Sequence, residues 1–448
     1  MKTTVGCAWN AVLLTEENEM LNFNAVPVYP SYESFDGCVY TVYPCADAAA
    51  YRAYLQSVAA QGFVPYAENE IEDNHFASFT SDTCFVQTAF IAADRTFRVA
   101  EDAKTALYPK APQVCERIVQ PCLWQFETDH TLIDCGMCYV MQCADGSFFV
   151  IDSAHSYSVR DNDRLHDFLI EHTPEGQKCV IAGWYFSHGH ADHICKFTDF
   201  LKYNMADVTV ERLYFNFISQ QHPDAQLWDA ADRRFTDAFL TEVAKHPEIP
   251  VVYLHIGERF YVRDFAFTVL CTHEEVYPGS FETYNNSSTV LLCEAEGNRI
   301  FFPGDASDLS DRVLLKFYKD IFACDILQVS HHGHMGLSPE FYKKANAPVV
   351  LFPTTQIKYD EEFEHYEANR IAVNQAKECY ISANGTVKFP LPYRHGTAVR
   401  SPDETFESFT GVQNLWNYTY TAERKQALYD AYLARGGKPI AEYEKGFE

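Results

Sequence analysis

An α/β protein built from several units is what this sequence predicts, and three observations carry that reading. Strand-like and helix-like apolar patterns alternate along most of the 448 residues, as in layered sheet-and-helix proteins. Hydrophobic residues make up 47% and aromatic residues 15%, enough for a core, which excludes disordered, collagenous and low-complexity classes. The pattern changes near residue 110 and again near 400. This divides the chain into a small α+β unit at 1–110, a long α/β unit at 120–395 and a helical tail at 400–448.

In the first unit Asp36-Gly37 is a turn signal, and residues 38–43 are rich in β-formers. Asp47 is placed to cap a helix running through Tyr51, Leu55 and Val58, with Gly62 suited to its C-terminal end. Strands are expected at 63–66, 75–80 and 84–91. This unit has no cluster of His and Asp at ligand spacing, so its expected duty is structural or substrate-shaping. Tyr108-Pro-Lys-Ala-Pro112 marks the boundary.

In the long unit, residues 136–143 and 148–151 flank Ala144-Asp145-Gly146-Ser147, a strong hairpin signal. A helix follows at 163–171, with Leu165, Phe168 and Leu169 on one side, and then a buried strand at 179–186. Further expected elements are strands at 213–217, 251–256 and 261–270 and a helix at 230–243. A hairpin is expected between 289–293 and 300–302, turned by Glu296-Gly297-Asn298, followed by a strand at 349–352. Two short runs around Asn384-Gly385 end near Phe389. In the tail, Thr421 caps a helix whose Leu428, Tyr429, Tyr432 and Leu433 form a stripe, ended by Gly436-Gly437. That stripe is expected to dock on the body.

Charge is the unusual feature of the composition: 35 Lys+Arg against 62 Asp+Glu leave −27. Such a surface disfavours long nucleic acids, whose binding rests largely on cations neutralising phosphates. The fifteen cysteines are an odd number without the short secreted framework of a disulfide scaffold. The apolar run at 7–14 is too short and too poorly flanked for a signal peptide, and no stretch approaches a membrane span. A reduced, cytoplasmic protein is expected. Cys135-Gly-Met-Cys138 is a lone CxxC inside an expected strand, read as structural.

The decisive segment is His188-Gly-His190-Ala-Asp192-His193, directly after the apolar strand. Four potential ligands within six residues, three of them imidazoles, are costly to place together without a cation. Neutral imidazole and carboxylate suit zinc, manganese and iron. Small Gly189 and Ala191 allow the loop to coil and aim these side chains at one point.

This HxHxDH segment matches the signature of the metallo-β-lactamase superfamily, and further segments in the same order extend the resemblance over about 120–390. Phe149-Val-Ile-Asp152-Ser resembles the early strand whose aspartate supports the metal loop. Phe301-Phe-Pro-Gly304-Asp305 resembles the segment whose aspartate bridges two metals, and Asp325-Ile-Leu-Gln-Val-Ser-His331-His332-Gly333 the later histidine motif. The resemblance implies an αββα sandwich holding two divalent metal ions, zinc first, with manganese or iron as alternatives. His188 and His190 would hold one ion, Asp192, His193 and His332 the other, with Asp305 between them and His331 as the reserve for His332. Asp192 and Asp305 are the expected catalytic residues, beside a metal-bridging hydroxide as nucleophile.

One departure narrows the reading. Where many relatives carry another histidine, this chain has Tyr284-Asn285-Asn286-Ser287-Ser288-Thr289, similar to the hydrolase domain of ComEC-type proteins and to phosphorylcholine esterases. The resemblance thus implies phosphodiester chemistry on a small or modest-sized ester. Lactone, thioester or amide hydrolysis and a non-catalytic metal-retaining protein are the alternatives. Flavodiiron relatives usually carry glutamate where His190 stands, together with a flavin domain of which this sequence shows no trace. Asn286 either orients a water or substrate oxygen or caps a turn. Asp152 either orients a ligand histidine or caps a turn after its strand. His334 stands where relatives often have serine. His273, near a strand end, is a further candidate for substrate contact; His155 and Arg233-Arg234 are read as loop and solvated residues.

Overall fold

The computed structural model describes residues 21–23, 25–33, 38–130, 133–218, 230–277, 284–401 and 422–434. The expected turn at Asp36-Gly37, the cap Thr421 and the helix end at Gly436-Gly437 lie outside these residues, as does the apolar run at 7–14.

The N-terminal unit is a six-stranded antiparallel sheet in the spatial order Tyr32–Glu33, Val39–Pro44, Thr96–Ala103, Cys84–Ile91, Asn74–Thr80, Val64–Ile71. Helix α1 (Ala48–Ala60) lies on it. The Asp47 carboxylate accepts from the N–H groups of Ala49 and Ala50, satisfying donors that the first helical turn leaves open. Tyr51 and Val58 of α1 pack on Ala77, Phe79, Val86 and Phe97. The opposite face, with Phe76, Ala89 and Ile91, is buried against the rest of the molecule.

The long unit consists of two facing sheets. The first runs Val251–Tyr253, Leu213–Phe215, Cys179–Tyr185, Phe148–Ile151, Tyr139–Gln142, Cys122–Gln125, Val387–Pro390, Val399–Arg400, with Val208–Val210 also paired to Cys179–Tyr185. The second runs Arg259–Val262, Phe265–Cys271, Val290–Ala295, Asn298–Phe302, Ile326–Gln328, Val349–Phe352, Glu378–Ile381. Between them lie Met141, Phe149, Ile151 and Tyr185 from one sheet and Phe267, Leu291, Phe302 and Leu351 from the other. The outer face of the first sheet, with Phe148, Val150, Trp184 and Phe186, is covered by α2 (Asp161–His172), α3 (Ala191–Tyr203) and α4 (Ala230–Val243) through Phe168, Phe197 and Phe239. A single turn, α5 (His273–Val276), follows the second strand of the other sheet. That sheet is covered by α6 (Asp308–Phe317), α7 (Pro339–Ala345) and α9 (Glu367–Gln375) through Leu314, Phe341 and Ala372, with α8 (Gln356–His365) joining the last two helices.

The result is the αββα sandwich that the resemblance implies. Its central strands are buried on both faces, which is why runs such as Phe-Phe-Val-Ile are continuously apolar and not alternating. Each large side chain so buried contributes roughly 1.5–3 kcal/mol.

Two local expectations are corrected. Residues 261–270 form not one strand but a hairpin, Arg259–Val262 with Phe265–Cys271, turned at Arg263, which adopts φ +54°. The CxxC pair lies ahead of its strand, which begins at Tyr139; Cys135 makes a single bridge to Thr354. The two short runs around Asn384-Gly385 are strands, and that turn carries the chain from Glu378–Ile381 in the second sheet to Val387–Pro390 in the first. No helix of the described residues is long and apolar enough to cross a membrane. In the tail, α10 (Ala422–Ala434) buries Tyr429 and leaves Leu433 exposed.

Candidate metal centre

Four strand ends converge on one point, the carboxyl-end location where open α/β sheets hold ligands. Cys179–Tyr185 leads into Ser187 and His188; His190 is the extended residue preceding α3 (φ −72°, ψ 152°), and Asp192 and His193 occupy its first turn. The turn is tight for a physical reason. A Cβ on Gly189 would stand 2.7 Å from Thr236 Oγ1 of α4, and the Thr236 hydroxyl donates to the Gly189 carbonyl at 2.9 Å.

From the second sheet, Asn298–Phe302 delivers Asp305 after Gly304, whose φ of +58° and lack of a Cβ let it pass Ser187. The Gln328 amide holds this turn, accepting from the Gly304 N–H at 3.0 Å and donating to its carbonyl at 2.8 Å. Ile326–Gln328 delivers His331 and His332, both in the left-handed region at φ +49° and +54°. Such backbone is uncommon for non-glycine residues and marks a site where surroundings override local preference.

The side chains form two groups that meet at Asp305. Asp192, His193, Asp305 and His332, all buried, bring one ligand atom each within 4.8 Å of the others, and so do His188, His190 and Asp305. His193 Nε2 lies 3.2 Å from Asp305 Oδ2 and 3.5 Å from Asp192 Oδ2. His332 Nε2 lies 3.0 Å from Asp192 Oδ2 and 3.3 Å from Asp305 Oδ2, yet makes a well-aligned hydrogen bond to neither. Its Nδ1 faces the Pro353 carbonyl at 2.7 Å, which fixes the ring with Nε2 inward. His188 Nε2 is 2.8 Å from His190 Nδ1 and 4.0 Å from Asp305 Oδ2.

Behind the ligands sits Asp152, fully buried. Its Oδ2 is 2.7 Å from His193 Nδ1 and accepts from the Ser187 hydroxyl at 2.8 Å, while Oδ1 accepts from the Ser187 N–H at 2.8 Å. The Ser187 oxygen in turn lies 3.0 Å from His188 Nδ1. One carboxylate and one hydroxyl therefore orient imidazoles of both groups, the usual support for metal-ligating histidine. Ser187 escaped the sequence reading, although its place beside the first histidine was a usable signal.

Electrostatics agree with a cation site. Burial alone raises Asp305, but the charges of His193 and His332 hold it well below the usual carboxylate range. Burial disfavours charge on His193, yet Asp305, Asp192 and Asp152 hold its pKa well above the ordinary imidazole value. Asp305 and Asp192 overcome burial at His332 and push it up to about 10. At His188 burial dominates, reinforced by its histidine neighbours, and lowers it strongly. Asp305 Oδ1 is buried without a hydrogen-bond partner. An orphaned carboxylate oxygen among imidazoles is costly without a cation, and nitrogen and oxygen donors in this number fit zinc, manganese or iron.

The other expected residues lie as follows. His331 stays outside both groups, its Nε2 3.0 Å from the Asn285 amide. Asn286 turns away to cap α6, its Oδ1 accepting from the N–H groups of Leu309 and Ser310 at 3.0 and 3.2 Å. His334 pairs with Glu362 at 2.9 Å and is partly exposed. His273 is remote in bonding terms: it is fully buried between Tyr32 and Asn216. His155 is buried beside Tyr157, whose N–H donates to its Nδ1; burial depresses it to about 4. Arg233 lies near Asp237 on α4, and Arg234 lies over the Phe235 ring. Two neighbours were not expected at the site. The Tyr284 ring stacks on His190 at 5.4 Å. Burial, and then the charge of Asp192, to which it hydrogen-bonds, raise the Cys135 thiol.

No family model matches the chain, and no curated protein does. Among solved structures the chain is similar to the metallo-β-lactamase fold protein YhfI from Bacillus subtilis, at 14% identity over 58% of this chain and 96% of that one, with a TM-score of 0.34. It is also similar to the short form of human tRNase Z, at 12% identity over 58% and 95%, TM-score 0.33. A third is CmlA, a diiron β-hydroxylase from Streptomyces venezuelae, at 13% identity over 72% and 52%, TM-score 0.31. What the chain itself shows is an αββα sandwich with a buried His/Asp cluster, fit for metal, at the ends of its strands.

Proposed function

We propose that this chain is a metal-dependent hydrolase with a dinuclear centre, acting as a phosphodiesterase on a small or modest-sized ester. The observation that carries the reading is the meeting of two buried ligand groups at Asp305, one of whose oxygens has no other partner. His188 and His190 would hold one divalent ion and Asp192, His193 and His332 the other, with Asp305 shared and zinc the first choice. When bound, such ions activate water near neutral pH and polarise the ester oxygen.

The chain's own residues have definable tasks. Asp152 and Ser187 fix the tautomers of His193 and His188, which leaves their inward nitrogens as the ones that would ligate a metal. Tyr284 holds the His190 ring from one side. His334 and Met335, which follow the His331–His332 turn, are the exposed side chains next to the cluster in sequence. The segment at Asn285–Ser288 supports phosphodiester over lactam chemistry by resemblance. An acidic surface fits a compact anion reaching cations inside it better than a long polyanion needing a basic track.

The test is turnover of generic phosphodiester, phosphomonoester and lactone substrates by protein loaded in turn with zinc, manganese and iron, alongside elemental analysis. Phosphodiester cleavage with about two ions per chain, lost in Asp305→Asn together with at least one ion, is expected. Cleavage of lactones alone would transfer the reading to carboxylic esters. Inertness toward every substrate with the metals bound would sink the hydrolase reading.

A further inference from the structure

A second cluster of metal-ligating side chains lies away from the His/Asp centre and shares no residue with it. Cys38, immediately before the strand Val39–Pro44, His255, just past Val251–Tyr253, and Glu274 of α5 bring Sγ, an imidazole nitrogen and a carboxylate oxygen within 4.8 Å of one another. His255 Nδ1 lies 2.9 Å from Glu274 Oε2, and Cys38 Sγ lies 3.9 Å from Glu274 Oε1. Zinc bond lengths of about 2.0–2.3 Å put tetrahedral ligand atoms roughly 3.3–3.7 Å apart. The observed separations bracket that range. All three side chains are at most 1% exposed.

Two independent features point to a cation here. First, the ring of His255 is held from behind: its Nε2 lies 2.9 Å from Asp102 Oδ2 in the strand Thr96–Ala103. A carboxylate on the far nitrogen is how ligating imidazoles are usually oriented. Second, the charge does not close. Asp102, Glu258 and Glu274 are all buried around one imidazole, and Glu258 has an oxygen, Oε1, without any hydrogen-bond partner, while its Oε2 accepts from the His255 N–H at 3.2 Å. Asn216 and Thr272 donate to Glu274 as neutral groups. Three buried carboxylates and a thiol around His255, with His273 the other imidazole acting on Glu274, are costly to keep dry.

We propose that Cys38, His255 and Glu274 form a structural zinc site that fastens the N-terminal sheet to the sandwich. The mixed sulfur, nitrogen and oxygen set suits zinc above harder cations. Cys38 and the supporting Asp102 come from the N-terminal unit, His255 and Glu274 from the sandwich, so binding free energy is spent on docking the two.

Cobalt substitution tests this in the full chain, because thiolate coordination gives Co(II) an intense near-ultraviolet charge-transfer band that nitrogen and oxygen ligands do not. Metal-free protein titrated with Co(II) is expected to show that band at about one equivalent per chain. The band is expected to vanish in Cys38→Ser. It should persist in Cys135→Ser, the control for the thiol beside Asp192, and in Asp305→Asn. Glu274→Gln, nearly isosteric, is the second variant and should weaken the band's cobalt affinity at least tenfold. Absence of the band in the wild type overturns the site, and so does its loss in Cys135→Ser. If Cys38→Ser does not fold, an unchanged cobalt affinity in Glu274→Gln overturns it as well. A negative outcome leaves the His/Asp centre untouched, since Asp305 and its partners are tested by turnover.

Discussion

Asp152 touches no expected substrate atom, yet it accepts from both Ser187 groups and faces His193, so its charge is placed to set two imidazoles at once. Asp152→Asn keeps the shape but inverts one hydrogen-bonding edge. It is expected to lower metal affinity about 10- to 100-fold while circular dichroism stays that of the wild type; unchanged affinity by competition with a chelator would show the contact to be incidental. A second prediction concerns Glu101, whose carboxylate accepts from the Leu21 N–H and which burial raises to about 7. The folded state therefore holds a proton that the unfolded chain releases near its ordinary value of about 4.3. Stability from this group is fully present below that value and is lost as pH rises through about 7. Between pH 5 and 8 the melting temperature of the wild type should fall relative to that of Glu101→Gln; parallel curves would count against it.

At the scale of elements, the strand Cys179–Tyr185 is squeezed between its neighbours. A Cβ on Gly183 would stand 2.8 Å from Tyr214 and 2.9 Å from Phe149. Gly183→Ala should cost about 1–3 kcal/mol in urea unfolding, the usual penalty of overpacking. Because that strand leads to His188, metal uptake should weaken with it. Most elements were legible in the sequence, because apolar runs bounded by Asp-Gly or Glu-Gly mark strands and turns locally. The cluster residues at 188–193 were legible for a related reason: they lie in one short segment. The hairpin at Arg263 was not, since its turn contains neither glycine nor proline. Its left-handed arginine is fixed by distant ion pairs with Asp145 and Glu211. Nor was Thr96–Ala103, a central strand disguised by Arg98, Glu101 and Asp102. Its Arg98 is paired with Asp94 and Tyr40 only once the sheet has formed.

For the whole molecule, the seam between the N-terminal sheet and the sandwich is the feature no local pattern disclosed. Gly257, at φ +77°, packs so closely on Phe76 that a Cβ would fall 1.9 Å from its ring, and the Asn69 amide donates to the Gly257 carbonyl at 2.9 Å. Gly257→Ala should therefore destabilise more than Gly183→Ala and expose the linkage near 104–121 to limited proteolysis; an intact digestion pattern would contradict the closeness of that seam. His273 illustrates why its role was misplaced from sequence. Its position after a strand resembled that of a cleft residue, whereas its partner Tyr32 is separated from it by more than two hundred positions.

The late strand Val387–Pro390 pairs with Cys122–Gln125 and, through it, completes the first sheet. During synthesis every member of the His/Asp cluster, from His188 to His332, leaves the ribosome before that strand does. Cys122–Gln125 stays an unpaired edge throughout that interval, open to other chains. The nascent protein thus has its ligands in hand while its sandwich still stands ajar, and metal capture and closure compete in time, not only in energy.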